Sequence, residues 1–377
     1  MSFRGQTVLT RLRKVLLLLI FLYCFLVSIK CLSGGFKMLG EDFGRQLIST
    51  TSNPFVGLLI GILVTSIIQS SSGTTSVAVA LVASGQVTVA NAIPIVMGAN
   101  IGTTITNTLV SLGHIRKRDE FRRAMSAAVV HDVFNILCVA IFLTLELTTG
   151  FLEISATWLA DNFAHLGGLD YVSPLKTITS PVAKFLGKQA EYLLGLQTGA
   201  IVLIVVTLGT LFTALIGMVR IMRSATLTRF ELLFDKYVGR YPISALFLGI
   251  LVTGIIQSSS ITTSLLVPMV GAGVLTVRQV YPVTLGANIG TTVTAMLAAL
   301  ASKNIAALTI AFVHLLFNLC GTTLFFFIPW MENIPIMTAD ALAKFFAKAR
   351  YYAIIFILII FFVIPGFLLF LHEMFWR

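Results

Sequence analysis

Apolar residues along this chain fall in long unbroken blocks rather than at every third or fourth position, and the blocks come in two lengths. Val15–Leu32, Val89–Leu112, Ala124–Leu147, Ile201–Val219, Ile305–Pro329 and Tyr351–Leu371 carry few charges. Each approaches or exceeds the roughly 20 residues that a helix needs to cross a bilayer, and the alternating pattern of a membrane barrel is absent. Pro54–Ile68 is shorter. As a helix it reaches about 22 Å, against a hydrocarbon core of about 30 Å, and so penetrates only partway. Val77–Ala83 is shorter still and ends at Ser84 and Gly85. The pattern predicts an all-α polytopic membrane protein.

Between the two short blocks stands Gln69–Ser76, QSSSGTTS, and nearly the same string, QSSSITTS, returns at Gln257–Ser264. So many hydroxyls beside interrupted backbone are tolerated at membrane depth only inside protein or along a solvated cavity. A second interruption, GANIGTT at Gly98–Thr104, lies in the middle of Val89–Leu112 and recurs at Gly286–Thr292. Its glycines and polar side chains predict a discontinuous helix in each place. Asn53–Thr106 aligns without a gap on Tyr241–Thr294, with more than half of the positions identical. After a short deletion, His131 and Asn135 fall opposite His314 and Asn318, whereas Leu315 stands where the first copy has Asp132. A chain built this way is a duplicated unit.

Charge sets the orientation. Arg4, Arg11, Arg13 and Lys14 precede the first block, and Arg116, Lys117, Arg118, Arg122 and Arg123 form the densest basic loop. Placing both in the cytoplasm makes QSSSGTTS the tip of a re-entrant hairpin entered from outside. A second basic loop with Arg220, Arg223, Arg229, Lys236 and Arg240 leads into QSSSITTS, which is then entered from inside. Two inverted-topology repeats follow, each with a re-entrant helical hairpin and a discontinuous transmembrane helix, the plan of secondary transporters. The expected divisions are 1–52 (tail, first span and an interfacial segment at Gly34–Ser52), 53–147 (first repeat), 148–196 (outer loop), 197–329 (second repeat) and 330–377. The last holds an amphipathic stretch with Lys344, Lys348 and Arg350 inside, a final span, and Arg377 outside.

Composition narrows the function. With 57% apolar and 11% charged residues, no soluble domain of useful size fits, so a separate catalytic domain is not expected. The formal charge of +11 collects in short loops and reads as membrane topology, not nucleic-acid binding. Cys24, Cys31, Cys138 and Cys320 sit in or near apolar blocks without a CxxC or Cys/His cluster, so they read as small buried residues. No small-residue cleavage site follows the first block, which reads as a retained span. An intramembrane hydrolase using Ser71, His131 and Asp132 is disfavoured, because adjacent helical side chains point about 100° apart and no GxSxG elbow is present.

A hairpin tip ends one half-helix and begins another, exposing N–H groups with partial positive charge beside free carbonyls. Two tips next to two GANIGTT segments offer donors for an oxyanion, and neutral oxygens suited to sodium rather than a carboxylate cage for calcium. The competing reading is that Ser, Thr and Gly simply allow close helix packing, with Asn100 and Asn288 as helix caps. Asp132 within a span points to cation or proton binding. His131 and His314 lack metal-ligand partners one turn away and read as buried, hydrogen-bonded histidines.

QSSSGTTS and QSSSITTS, each followed by PxxxGANIGTT from Pro94 and Pro282, together with Val130-His131-Asp132-Val133-Phe134-Asn135, resemble the type II sodium-dependent phosphate cotransporter family in its short bacterial form. The match covers Asn53–Asn135 and Tyr241–Asn318. The resemblance implies uptake of inorganic phosphate by alternating access in the cytoplasmic membrane, driven by sodium as coupling ion and with no other cofactor. By the same resemblance, Gln69, Ser70, Ser71, Ser72, Asn100, Thr103, Ser258, Ser259 and Ser260 hold phosphate. Gln257, Ser258, Ser259, Thr291 and Thr294 hold sodium, and Asp132 adds a cation that makes transport electrogenic. Its partners would be phosphate, sodium and membrane lipid. A sodium-coupled di- or tricarboxylate transporter of similar inverted-hairpin architecture is the alternative. The outer loop has no cysteines to bridge and no regulatory domain follows Arg377, so those family features are not expected.

Overall fold

The computed structural model of the protein describes residues 3–164, 174–238 and 241–376, and every regular element among them is helical. Arg240 and Arg377 lie outside the described residues, as do the side chains of Arg4, Arg11, Arg223, Arg229 and Lys236. α1 (Phe3–Met38) is followed by α2 (Gly40–Thr51), so the stretch expected at the interface is divided between a span and a short helix. α2 meets α3 (Pro54–Ile68) at a bend of 99°. The turn is built locally: the Asn53 side chain accepts the Phe55 N–H at 3.0 Å, and Pro54 opens α3 where its missing donor costs nothing.

α4 (Ser71–Ser84) leads to α5 (Val89–Thr103), α6 (Ile105–Ser111) and α7 (Arg118–Thr149). The outer loop expected at Thr148–Leu196 contains two helices instead, α8 (Phe151–Phe163) and α9 (Pro174–Leu194). Leu152, Ala156 and Ala160, one turn apart, give α8 a buried stripe that mixed charge concealed in the sequence. α10 (Leu196–Tyr237) runs straight through the second basic segment, because neither Gly nor Pro interrupts it between Gly217 and Gly239. The second copy follows as α11 (Pro242–Ile256), α12 (Ser259–Gly271), α13 (Val277–Ser302) and α14 (Ile305–Phe327). The chain ends with α15 (Pro329–Phe346), α16 (Tyr351–Leu358), one wide turn at Ile359–Val363, and α17 (Ile364–Trp376).

Among the described residues, seven helices are long and apolar enough to cross a membrane, or eight if α2 and α3 count as one span. The seven coincide with the long apolar blocks and with α13, while α4, α11 and α12 are too short.

The sequence predicts a break at each GANIGTT, and this is where the structure differs. α13 passes through Gly286–Thr292 unbroken, and the first copy has only a one-residue step at Thr104 between α5 and α6. The glycines serve proximity. A methyl group on Gly98 would overlap the Leu58 carbonyl oxygen, and one on Gly61 would overlap that of Ile95. The second copy repeats this, with Gly286 against the Leu246 carbonyl and Gly249 against that of Val283. α3 therefore lies backbone-to-backbone on α5, and α11 on α13, as small residues permit in membranes. The two copies also interlock: α4 packs on α13 and α14, and α12 packs on α6 and α7. Likewise α8 covers α14, while α15 covers α7.

Candidate functional site

Both QSSS strings form sharp reversals. Thr65 donates its hydroxyl to Thr74 Oγ1 at 2.8 Å, and Thr253 does the same to Thr262 at 2.8 Å. Nine residues along a straight helix would cover about 13.5 Å, so these bonds require the chain to turn back. The turning residue is a glutamine: Gln69 and Gln257 have φ of 57° and 63°, and each donates its N–H to a carbonyl one turn earlier, at Thr65 and Thr253, at 2.6 Å. A left-handed conformation costs a residue with a Cβ about 1–2 kcal/mol relative to its usual state, and such strain gathers at functional sites. Here the side chain is used, since Gln257 Oε1 accepts the Thr294 hydroxyl at 3.2 Å.

Ser70 and Ser258 cap the next helices, accepting the N–H groups of Gly73 and Ile261 at 3.1 and 3.4 Å. The first turns of α4 and α12 thus begin beside one another, and the Ser72 hydroxyl reaches the Gln257 carbonyl at 3.4 Å. Between them lies a cavity of about 180 Å³. It is lined by Gln69, Ser70, Ser71, Ser72, Thr103, Gln257, Ser258, Ser259 and Ser260. Ile68 and four apolar residues of α10, Phe212, Leu215, Ile216 and Val219, complete the wall.

Four of the expected site residues stand apart from this lining. Asn100 is buried and donates to the Val96 carbonyl of its own helix at 3.1 Å. Thr291 bonds the Ala287 carbonyl at 2.9 Å, and Thr294 joins the site through Gln257. Asp132 is fully buried on α7: its Oδ2 accepts the Thr108 hydroxyl at 3.1 Å, and its Oδ1 has no partner.

Behind the tips runs a chain of buried hydrogen bonds. Thr263 donates to Asn107 Oδ1 at 2.8 Å, and the Asn107 amide donates to His131 Nδ1 at 3.1 Å. His131 Nε2–H then donates to Asn288 Oδ1 at 2.7 Å. The Asn288 amide donates to Asn135 Oδ1 at 2.8 Å, and Asn135 donates to the Asn100 carbonyl at 3.0 Å. The expectation of a buried, bonded histidine holds for His131. His314 is equally buried, yet neither of its ring nitrogens has a partner.

A family model described as Na+/Pi-cotransporter matches residues 24–155 and 210–332, more than half of the chain. The chain belongs to the Na+/Pi-cotransporter family. Among its relatives, the human sodium-dependent phosphate transport protein 2B is 35% identical over 93% of this chain and 64% of that protein. The 2B protein of Pongo abelii matches to the same extent, so the chain spans less than two thirds of these relatives' length. The mouse sodium-dependent phosphate transport protein 2A is 35% identical over 95% of this chain and 67% of its own length. No solved structure matches. Na+/Pi-cotransporters are transporters rather than enzymes. Sequence reasoning missed two parts of this candidate site. The α10 wall is distant in sequence and reads as ordinary lipid-facing helix. Asn107 has no counterpart in the second copy, where Ala295 stands.

Proposed function

We propose that the protein is a sodium-coupled symporter that imports inorganic phosphate across the cytoplasmic membrane by alternating access. The observation that carries this is the single cavity lined by both QSSS tips, with the first turns of α4 and α12 facing it. Each helix N-terminus contributes about half an elementary positive charge, so two supply about one. That falls short of a phosphate dianion, and among the described residues neither lysine nor arginine lines the cavity. The remaining charge is left to a cation that binds with the substrate, which is the physical basis of the coupling.

For sodium, the paired oxygens of Gln257 and Thr294, with Ser258, Ser259 and Thr291 nearby in sequence, form the expected set. Asp132, with one carboxylate oxygen unused, supplies a further negative group deep in a span and supports electrogenic transport. The distribution of basic residues supports a cytoplasmic N-terminus, two oppositely entered hairpins, and repeats spanning 53–147 and 197–329. The reciprocal packing of α4 and α12 supports the same arrangement.

Uptake of radiolabelled phosphate into proteoliposomes, with and without an inward sodium gradient, tests the proposal. Sodium-dependent accumulation is expected, inhibited by unlabelled phosphate and not by citrate or succinate. Uptake indifferent to sodium would sink it. The purified Asp132→Asn variant should still take up phosphate but carry less charge per phosphate in a current recording; an unchanged current would remove Asp132 from the cation sites.

A further inference from the structure

The hydrogen-bonded chain behind the tips draws on both copies, and its symmetry-related counterpart, which contains almost every part of it, is not formed. Thr75 matches Thr263, Asn100 matches Asn288, His314 matches His131 and Asn318 matches Asn135. The helices carrying them meet in the same way, α4 against α13 and α14, and α5 against α14. Yet the side chains do not join. Asn100 turns back to the Val96 carbonyl at 3.1 Å, and Asn318 to the His314 carbonyl at 2.9 Å, each within its own helix. Thr75 Oγ1, both ring nitrogens of His314 and Asn318 Oδ1 have no partner, in residues that are 0%, 0% and 1% exposed.

Buried polar atoms without partners are costly, and such a cluster calls for either an internal water or another arrangement that satisfies them. That arrangement is already present in the symmetry-related set. Asn288 bridges His131 and Asn135, and a side-chain rotation that frees the Asn100 amide from Val96 would let it bridge His314 and Asn318 alike. Asn100 also offers its backbone carbonyl to Asn135, so the bridging asparagine of the open set is itself held by the closed one. The two sets are thereby linked through one residue. Two packings that exchange one set of bonds for the other are the bistable element that a switching transition requires.

We propose that Asn288 and Asn100 are paired latch residues that position the two repeats during transport. In this conformation Asn288 holds His131 and Asn135; in the opposite-facing conformation Asn100 holds His314 and Asn318 while Asn288 lets go. The latch rests on the alternating-access reading above. It assigns His314 and Asn318 a role in the conformation that this structure does not occupy. Ala295 makes the two states unequal, because the second set lacks the Asn107 amide that joins Thr263 to His131.

The test compares two substitutions expected to act in opposite directions. His314→Leu removes polar atoms that are unpaired here and deprives the other conformation of its bridge. Ala295→Asn gives the second set the amide of the first and favours that other conformation. A cysteine introduced at Ile216, which lines the cavity, is labelled with a membrane-impermeant thiol reagent from each face of oriented vesicles. The ratio of labelling from the two faces should shift by about tenfold, in opposite senses for the two variants. Shifts in the same sense, or none, would overturn the latch and leave the second set as a seat for an internal water. Should His314→Leu fail to fold, Asn318→Leu replaces it and is expected to shift the ratio in the same sense. Labelling needs no substrate, so phosphate uptake by the unsubstituted protein tests the transport reading separately.

Discussion

Two layers of this molecule treat the same duplication differently. At the tips the copies are almost superimposable in detail: a threonine pair at 2.8 Å in each, a left-handed glutamine in each, and a serine cap at φ −146° and −149°. One helix behind them the copies part. Asp132 faces Leu315 in the alignment, Asn107 faces Ala295, and only the His131 set is bonded. The contrast teaches where the duplication is kept and where it is not: the cavity is lined by two near-identical tips, while the asymmetry of charge and hydrogen bonding lies in the buried layer behind them.

The harshest way to test the likeness of the tips is to separate the helices that carry them. Gly98→Ala and Gly286→Ala each drive a methyl group into a backbone carbonyl that cannot yield. Overpacking of this kind costs about 1–3 kcal/mol or more, so both variants should lose most of their folded yield in a thermal-shift assay of the detergent-solubilised protein. Unequal losses would show that the copies bear different loads.

Next in size are the serines. Ser71→Ala and Ser259→Ala should each lower phosphate uptake at least about tenfold, since both open the helices that face the cavity. Loss in only one would mean that substrate sits on one tip. A smaller and sharper difference is expected between Gln69→Ala and Gln257→Ala. Only Gln257 bonds a threonine of the crossing helix, so the sodium concentration for half-maximal uptake should rise several-fold for Gln257→Ala and little for Gln69→Ala. The smallest effect belongs to Thr65→Val and Thr253→Val, which each remove one hydrogen bond across a tip. About 1 kcal/mol of stability is expected from either, measured as equal shifts in melting temperature.

Much of this was legible in the sequence because lipid leaves few choices. A block of apolar residues long enough to cross must be helix, and Pro54 with Gln69 marked the limits of the short one to the residue. The tips were legible because hydroxyl strings in hydrocarbon need a purpose. GANIGTT misled for a physical reason: glycine both loosens a helix and lets a neighbour approach, and a single chain read in isolation does not say which. The neighbour at Leu58 or Leu246 decides it. The α10 wall was hidden for a related reason, because Phe212 and Ile216 look like residues facing lipid until the tip is placed beside them. Asn107 was lost among threonines, and only the ring of His131 opposite it gives it meaning.

The backbone contact between each hairpin limb and its crossing helix has a mechanical consequence. With carbonyls wedged against glycines along α3 and α5, and again along α11 and α13, the first limb of each hairpin has no room to slide along the helix it lies on. The tips themselves meet through the Ser72 hydroxyl and the Gln257 carbonyl at 3.4 Å, and the buried bonds from Thr263 to Asn107 and from His131 to Asn288 join the copies behind them. Limb and helix thus form one stiff lever in each copy, and whatever displaces a lever displaces the tip and the cavity lining that it carries.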